Sequence, residues 1–354
     1  MKGVIMENPI RLGLLGLNFG RHICQLLHDG RENLPVRLTC VCDLDQEKAA
    51  RIGAEFEVPA TASLDALLDD PQIDAVGLFT GPNGRAELIR KIIRAGKDVM
   101  TTKPFERDAD AAMAVLQEAR ALGRVVHLNS PNPRPRGEMA VISDWIAEGL
   151  LGQPTLAQSS VWVNYGASPA DGSWYDDPLQ CPAAPIFRLG IYPLNNLLTI
   201  FGTPVSVQVT HSRVLTQKPT ADNASVNIGF ADGAIVALSA SFVVGGPDYY
   251  KNAMTIGGTN GVIYYQSGPR PRDGMSEVNL QLSTDDRLEQ RVITEPSGGY
   301  DWEFFAQRVR GEVAEDVTTP EQIVSAIRVM QAISLAERTG KTIAIDSTCL
   351  TVIG

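Results

Sequence analysis

Between residues 10 and 130 the chain alternates short apolar runs with longer stretches in which apolar positions recur at helical spacing. This is the sequence form of β-α-β units and a parallel sheet, because strands covered on both faces read as nearly continuous apolar runs. The runs at 10–16, 36–42, 74–79, 98–101 and 125–129 predict strands. The stretches near 19–29, 45–55, 63–69, 84–95 and 107–122 predict the helices between them. Gly96 and Gly123 follow the last two helices as C-terminal stops.

The pattern changes after Asn129. Ser130-Pro131-Asn132-Pro133-Arg134-Pro135-Arg136-Gly137 reads as a stiff proline-rich link. A helix is expected at 138–148. Alternating segments follow at 155–164, 204–214, 222–231, 234–243, 252–257, 261–266 and 277–283. Asp232-Gly233 and Asn260-Gly261 read as hairpin turns, so this sheet is expected to be mainly antiparallel. Helices at 189–201, 301–311 and 320–338 and a strand at 342–346 complete the region. The expected architecture is α/β with two domains. A Rossmann-type doubly wound parallel sheet occupies 1–130. An α+β domain with a large, mainly antiparallel sheet occupies 131–354.

The chain has 354 residues, enough for two such domains. Its net charge of −10 argues against nucleic acid and anionic membranes as partners. The basic clusters Arg134-Pro135-Arg136 and Arg270-Pro271-Arg272 read as turns or local anion contacts. Mean hydropathy is −0.04, and no run of about 18 apolar residues appears. The first residues lack an apolar core of signal-peptide length. Five scattered cysteines, with Cys40 and Cys42 on one expected strand, point to reduced thiols and a cytoplasmic location. Four histidines stand at no metal-ligand spacing, so no metal site is expected.

Candidate chemistry lies at the strand ends. Gly13-Leu14-Leu15-Gly16-Leu17-Asn18-Phe19-Gly20 is a glycine turn between a strand and a helix. Glycines there let backbone approach a pyrophosphate, and the helix N-terminus offers free N–H groups to it. The spacing departs from G-x-G-x-x-G. Asn18 holds the second glycine's place, the best non-glycine choice where φ is positive. Asp43 ends the second strand, where a carboxylate accepts from the adenosine ribose hydroxyls. The adjacent Leu44 and Asp45 offer no cation, so NAD is favoured over NADP. The alternative role of Asp43 is to cap the next helix. Thr80-Gly81-Pro82-Asn83 ends the third strand with residues that let a backbone lie flat under a ribose or nicotinamide. Lys103-Pro104 follows the strand at 98–101, where a lysine points into the ligand crevice.

Taken together, these residues resemble the Gfo/Idh/MocA family of glucose-fructose oxidoreductases and inositol dehydrogenases, from the first strand to the last helix. The family's Gly-x-Gly-Phe-Gly turn is similar to Gly16–Gly20, its Glu-Lys-Pro to Thr102-Lys103-Pro104, and its Thr-Pro-Asn strand end to Thr80–Asn83. Its arginine before the link helix falls on Arg134. Ile146-Ala147-Glu148-Gly149-Leu150-Leu151-Gly152 resembles its helix ending in Gly-x-Ile-Gly. Gly172-Ser173-Trp174 and Arg188-Leu189-Gly190-Ile191-Tyr192-Pro193-Leu194-Asn195 resemble its tryptophan segment and its Asp-x-Gly-x-His/Tyr helix. Tyr192-Pro193 looks like the glucose-fructose oxidoreductase branch.

The resemblance implies that Lys103 and Tyr192 face the nicotinamide and the reacting hydroxyl. It places Gly16, Asn18, Phe19, Gly20, Asp43, Thr80–Asn83, Thr102 and Lys103 around NAD. Trp174, Arg188 and Asn195 join Arg134, Lys103 and Tyr192 around the substrate. It also implies a homodimer or homotetramer through the second domain. Three departures stand out: Thr102 replaces the motif glutamate, Arg188 replaces the motif aspartate, and Pro182-Ala183-Ala184 replaces a triple glycine. The histidine after Pro-Asn falls near Arg85 or Ala86.

The expected activity is hydride transfer between NAD and a secondary hydroxyl of a sugar, polyol or sugar derivative. A lysine base at neutral pH needs desolvation or nearby positive charge to lower its pKa from about 10.4. Arg134 and Arg188 suit a substrate carrying a carboxylate or other anion. For Trp174 the alternative is core packing. Two other readings of the whole remain open. One is an oxidoreductive glycosidase, in which transient oxidation at a ring carbon lets a glycosidic bond eliminate. The other is a non-catalytic sensor of NAD or sugar.

Overall fold

The computed structural model describes residues 8–165, 172–246, 249–268, 275–296, 300–313, 318–346 and 349–353. Arg270-Pro271-Arg272 lies outside the described residues, as does most of the N-terminal stretch read for a signal peptide. The chain divides into two compact units, Met1–Pro133 with Tyr300–Pro320, and Arg134–Gly299 with Glu321–Gly354.

The first unit runs β1 (Ile10–Leu15), α1 (Leu17–Asp29), β2 (Val36–Cys42), α2 (Gln46–Glu55), β3 (Ala60–Thr61), α3 (Leu64–Asp69), β4 (Ala75–Leu78), α4 (Arg85–Arg94), β5 (Asp98–Thr101), α5 (Ala109–Ala121) and β6 (Val126–Leu128). All strand pairs are parallel, in the order β3-β2-β1-β4-β5-β6. This is the doubly wound order, and the order reverses between β1 and β4. β4 and β5 are buried along their whole length; β4 therefore reads as an unbroken apolar run, while in β5 the polar ends are satisfied internally, Asp98 accepting from Val125 N at 2.7 Å and Thr101 Oγ1 donating to Leu78 O at 2.8 Å. Gly96 and Gly123 adopt φ of +77° and +62° just past α4 and α5, as left-handed helix stops do.

The second unit runs α6 (Gly137–Ala147), β7 (Pro154–Val163), a 3₁₀ turn (Trp174–Asp176), a π-helical turn (Ile186–Gly190), α7 (Ile191–Phe201), β8 (Pro204–Ser212), β9 (Asn223–Phe230), β10 (Ile235–Ser241), β11 (Tyr250–Gly258), β12 (Gly261–Ser267), β13 (Met275–Thr284) and β14 (Leu288–Pro296). α8 (Trp302–Val309) returns to the first unit. α9 (Pro320–Thr339), β15 (Thr342–Ile345) and β16 (Leu350–Ile353) complete the chain. Ten strands form one sheet, β14-β13-β12-β11-β7-β10-β9-β8-β15-β16. It is antiparallel except for β7 beside β10. Both expected hairpins are present, β9–β10 and β11–β12.

One face of this sheet is buried. Val236, Leu238 and Ala240 of β10 join Val226, Ile228, Ile256 and Ile263 in a core closed by α7 and α9. The opposite face carries a row across the strands, Tyr264, Thr255, Gln158, Ala237, Asn227 and Gln208, with no charge in it. Ile235 on that face is exposed.

α8 was expected in the second domain by its place in the sequence. The structure instead packs Trp302, Phe305 and Ala306, with Tyr300, into the core beside β1, β4 and α1. Tyr300 meets Phe79 edge-on at 5.6 Å, and Phe305 meets His127 at 5.6 Å. All five cysteines are free, and four are buried. Burial pushes the Cys24 thiol up to about 12 and Cys42 to about 11, so neither is a nucleophile at neutral pH. Among the described residues, no helix is long and apolar enough to cross a membrane.

Candidate active site

In the first unit, the carboxyl ends of β1, β2, β4 and β5 are followed directly by Gly16, Asp43, Phe79-Thr80 and Thr102-Lys103. Gly16 has φ of +89°, and a Cβ built on it would lie 3.0 Å from the Thr80 backbone nitrogen. So only glycine lets the end of β1 lie against the end of β4. Gly20 has a different role. Its Cβ would meet Leu14 Cδ2 at 2.6 Å, so its bareness lets α1 pack on β1. Asn18 corrects the sequence reading. It lies within α1, which already starts at Leu17, and it is absent from the positive-φ residues. Its side chain, not its backbone freedom, is what the position uses. Phe19 is exposed, with its ring 6.0 Å from that of Phe79.

Asp43 does not cap the following helix. Asp45 does, accepting from Lys48 N at 2.9 Å. Asp43 instead accepts from Leu17 N at 2.8 Å, the first N–H of α1, and from Asp45 N at 3.0 Å. It therefore ties the end of β2 to the glycine turn. The expectation that no cation stands beside it is overturned. Lys48, one turn along α2, places Nζ 3.4 Å from Asp43 Oδ1 and 3.0 Å from Asn18 Oδ1. The two residues after Asp43 do not reveal it, because it is the first turn of α2 that brings Lys48 to the strand end. A carboxylate has about four acceptor positions. Three are committed here, which leaves room for a ribose hydroxyl. The cradle at Gly16, the α1 N-terminus and Asp43 thus fit a dinucleotide.

Thr80 and Gly81 are partly exposed, Pro82 is buried, and Asn83 accepts from Arg107 Nη1 at 3.1 Å. Thr102 is buried, and Lys103 is partly exposed with its N–H donating to Asn129 Oδ1 at 3.2 Å. Beneath them lies a residue whose role the sequence reading missed. Arg85 is 1% exposed. Its guanidinium donates to the carbonyls of Thr102 (2.5 Å), Pro104, Phe105 and Thr80. One side chain thereby braces the ends of β4 and β5 on both sides of Lys103.

In the second unit, Tyr192 stands in the first turn of α7 and is 37% exposed. Asn195, one turn on, is buried. Arg188 lies in the π-helical turn just before α7, an irregularity often found at functional sites. Its guanidinium is 4.2 Å from the Tyr175 ring centroid, 4.8 Å from Phe242 and 5.1 Å from Tyr165. Contact with aromatic faces helps to hold the cation. Trp174 is half-buried, with its ring 4.0 Å from that of Tyr175. Asp176 beside them is paired with Lys218 at 3.0 Å. Arg134 is exposed, three residues before α6. Ala183, in place of a family glycine, keeps φ of +41°, a conformation that favours glycine. Its N–H donates to Glu337 Oε2 at 2.9 Å, and burial raises that carboxyl's pKa.

A cavity of about 830 Å³ opens at the other end of the parallel sheet, among Arg11, Lys97, Arg124 and Arg310. Those cations are engaged by Asp74, Asp98 and backbone carbonyls, so this cavity is not the reactive site.

The parallel sheet with its glycine cradle defines an NAD-binding oxidoreductase domain. Residues 10–130 match the oxidoreductase family with an NAD-binding Rossmann fold, and residues 139–264 match the GFO/IDH/MocA C-terminal domain. The chain belongs to the GFO/IDH/MocA oxidoreductase family. It is 23% identical to dTDP-3,4-didehydro-2,6-dideoxy-α-D-glucose 3-reductase of Saccharopolyspora spinosa, over 95% of this chain and 100% of that one. Among solved structures it is similar to levoglucosan dehydrogenase in complex with NADH and levoglucosan. That match has a TM-score of 0.76 and 18% identity, covering 96% of this chain and 99% of that one. It is also similar to a 3-ketoreductase of Actinomadura kijaniata in complex with TDP-benzene and NADP. There the TM-score is 0.69 and identity 19%, covering 93% of this chain and 98% of that one.

Proposed function

We propose that this protein is an NAD-dependent dehydrogenase or reductase acting on a secondary hydroxyl of a sugar, polyol or sugar derivative. The observation that carries the reading is Lys103, held by braced backbone at the same sheet edge as the glycine cradle. The names of the dTDP-sugar 3-reductase and of levoglucosan dehydrogenase specify sugar substrates, which supports the substrate class. NAD, when bound, supplies the hydride acceptor. In the oxidising direction the hydroxyl proton leaves to Lys103 or Tyr192 as the carbonyl forms. In the reducing direction the same groups return it. Trp174 offers a ring face to the sugar, and Arg188 and Arg134 offer N–H donors to a carboxylate or other anion.

The test is reduction of NAD⁺ by the purified protein with a panel of sugars, polyols and uronic acids. Uronic acids are expected to outperform their neutral parents. Binding of NADH with no turnover across the panel would instead favour the sensor reading, to which the exchanges at Thr102 and Arg188 lend weight. We place the protein in the cytoplasm.

The proposal extends to association. The charge-free row on the open sheet face is unusual for a face left in water, and interface cores are depleted in charge. A homodimer or homotetramer through this face is expected, with the same patch on both copies. Light scattering at micromolar concentration checks it, and a strict monomer would end the idea.

Asp43 gives a further expectation. Asp43→Ala removes both the α1 N–H partner and the ribose acceptor. It should weaken NADH binding and lower stability by about 0.5–2 kcal/mol, the usual cost of a lost helix cap. Calorimetric titration and thermal unfolding measure the two parts separately.

A further inference from the structure

We propose that Lys218 is a positioning residue of the substrate side: through it the loop between β8 and β9 holds the turn that carries Trp174, and so sets how tightly the site takes a sugar. The inference deepens the proposed function and rests on its assignment of Trp174 and Arg188 to the substrate. Every group involved belongs to the second unit.

β8 ends at Ser212 and β9 begins at Asn223, so residues 213–222 join two paired strands that a link of about 2–5 residues would serve. Ordering a longer loop costs conformational entropy, so its shape needs contacts to hold it. Asp222 supplies them. It is 1% exposed, and its Oδ2 accepts from Val214 N, Leu215 N and Thr216 N at 2.8, 2.7 and 3.0 Å. Its Oδ1 accepts from Thr216 Oγ1. Hydrogen bonds to an ionised carboxylate are about twice as strong as neutral ones. Arg213 Nη1 donates to Pro219 O at 3.2 Å across the loop, and Thr220 and Ala221 are buried. The loop is thus a fixed arm.

The arm presents Lys218. Its Nζ lies 3.0 Å from Asp176 Oδ1, with the two side chains 23% and 6% exposed, so water and salt screen the pair little. Asp176 closes the 3₁₀ turn, and its N–H donates to Ser173 O at 3.0 Å. The turn carries Trp174, and it carries Tyr175, whose ring lies 4.2 Å from the Arg188 guanidinium. The base of the arm reaches the same cation. Asp222 O accepts from Phe242 N at 3.0 Å, and the Phe242 ring is 4.8 Å from Arg188. The loop therefore meets the surroundings of Arg188 at two points. A change at Lys218 acts through Asp176 on the turn, and it leaves Lys103 and Tyr192, the groups assigned to the proton, in place.

The test uses the full chain with NAD⁺ and, as probes, D-glucuronate and D-glucose. Lys218→Met is expected to raise KM about tenfold and to leave kcat within about twofold, the signature of binding lost equally from ground and transition states. Asp176→Asn removes the charge while keeping the shape of the side chain, and should raise KM to the same extent. Lys218→Arg keeps the charge and should rescue most of the loss. Acrylamide quenching gives a readout that needs no substrate. Lys218→Met should make Trp174 more accessible, and the difference should vanish when both proteins also carry Trp174→Phe. Unchanged quenching of Trp174 in Lys218→Met would overturn the proposal. So would a fall in kcat at unchanged KM. Turnover of neither probe by the unaltered protein would count against the sugar reading of the site and not against Lys218, whose hold on the turn the quenching experiment decides alone.

Discussion

Lys103→Met and Tyr192→Phe should each lower turnover by about 10²–10⁴-fold, the usual contribution of a group that moves a proton in the transition state. NADH affinity should change far less. The pyrophosphate is proposed to lie at Gly16 and the α1 N-terminus, which neither substitution touches. Both side chains are assigned to one proton, so their effects should not multiply. The double variant is expected to lose less than the product of the two single losses. Stopped-flow turnover and cofactor titration on the same preparations give both quantities. Near-normal turnover in Lys103→Met on the true substrate would remove the catalytic assignment. Loss of cofactor binding along with turnover would instead mean that the strand ends had shifted.

The parallel sheet was legible because its strands are buried on both faces, so that Ala75–Leu78 shows no polar interruption and Asp98–Thr101 keeps an apolar centre, Val99-Met100. The second sheet was legible where one face is buried. Val236, Leu238 and Ala240 alternate with exposed or half-exposed neighbours on β10. β14 was not legible. It is an edge strand carrying Glu289, Arg291 and Glu295, and edges are kept charged to prevent pairing with other chains. β16 is the opposite edge and only four residues long. α8 was legible as a helix but not in its placement, since its partners on β1 and β4 are more than 200 positions away in sequence.

Residues at strand ends could be placed from the sequence alone, and Gly16, Asp43 and Lys103 do stand at the carboxyl ends of β1, β2 and β5. Residues acting from neighbouring helices could not. Lys48 and Arg85 stand in the first turns of α2 and α4, away from the strand ends in sequence. Only the fold brings Lys48 to Asp43 and Asn18, and Arg85 to the carbonyls around Lys103. A signal for Arg85 did exist. The resemblance puts the family's histidine near Arg85 or Ala86, which marks this turn as one where the chain departs from the family.

Arg85→Met is expected to be the most destabilising single change at this edge of the sheet. The side chain is 1% exposed, and its donors serve the carbonyls of Thr80, Thr102, Pro104 and Phe105. Methionine fills similar space but donates nothing. Each buried carbonyl left without a donor costs about 1–3 kcal/mol, less whatever entering water recovers. Against this stands relief from burying a cation, which is itself costly. The net should be a loss of about 3–5 kcal/mol, the range for breaking a buried polar network. For a unit of this size that corresponds to a fall in melting temperature of roughly 10 °C. Arg85→Lys keeps the charge but cannot reach all four acceptors, so it should fall between the two. Calorimetry of the three proteins checks the order, and turnover at a temperature where all are folded checks the consequence for Lys103. If Arg85→Met melted within about 1 °C of the unaltered protein, a shift of under 1 kcal/mol, the carbonyls would have found other donors. The brace beneath Lys103 would then not be what holds it.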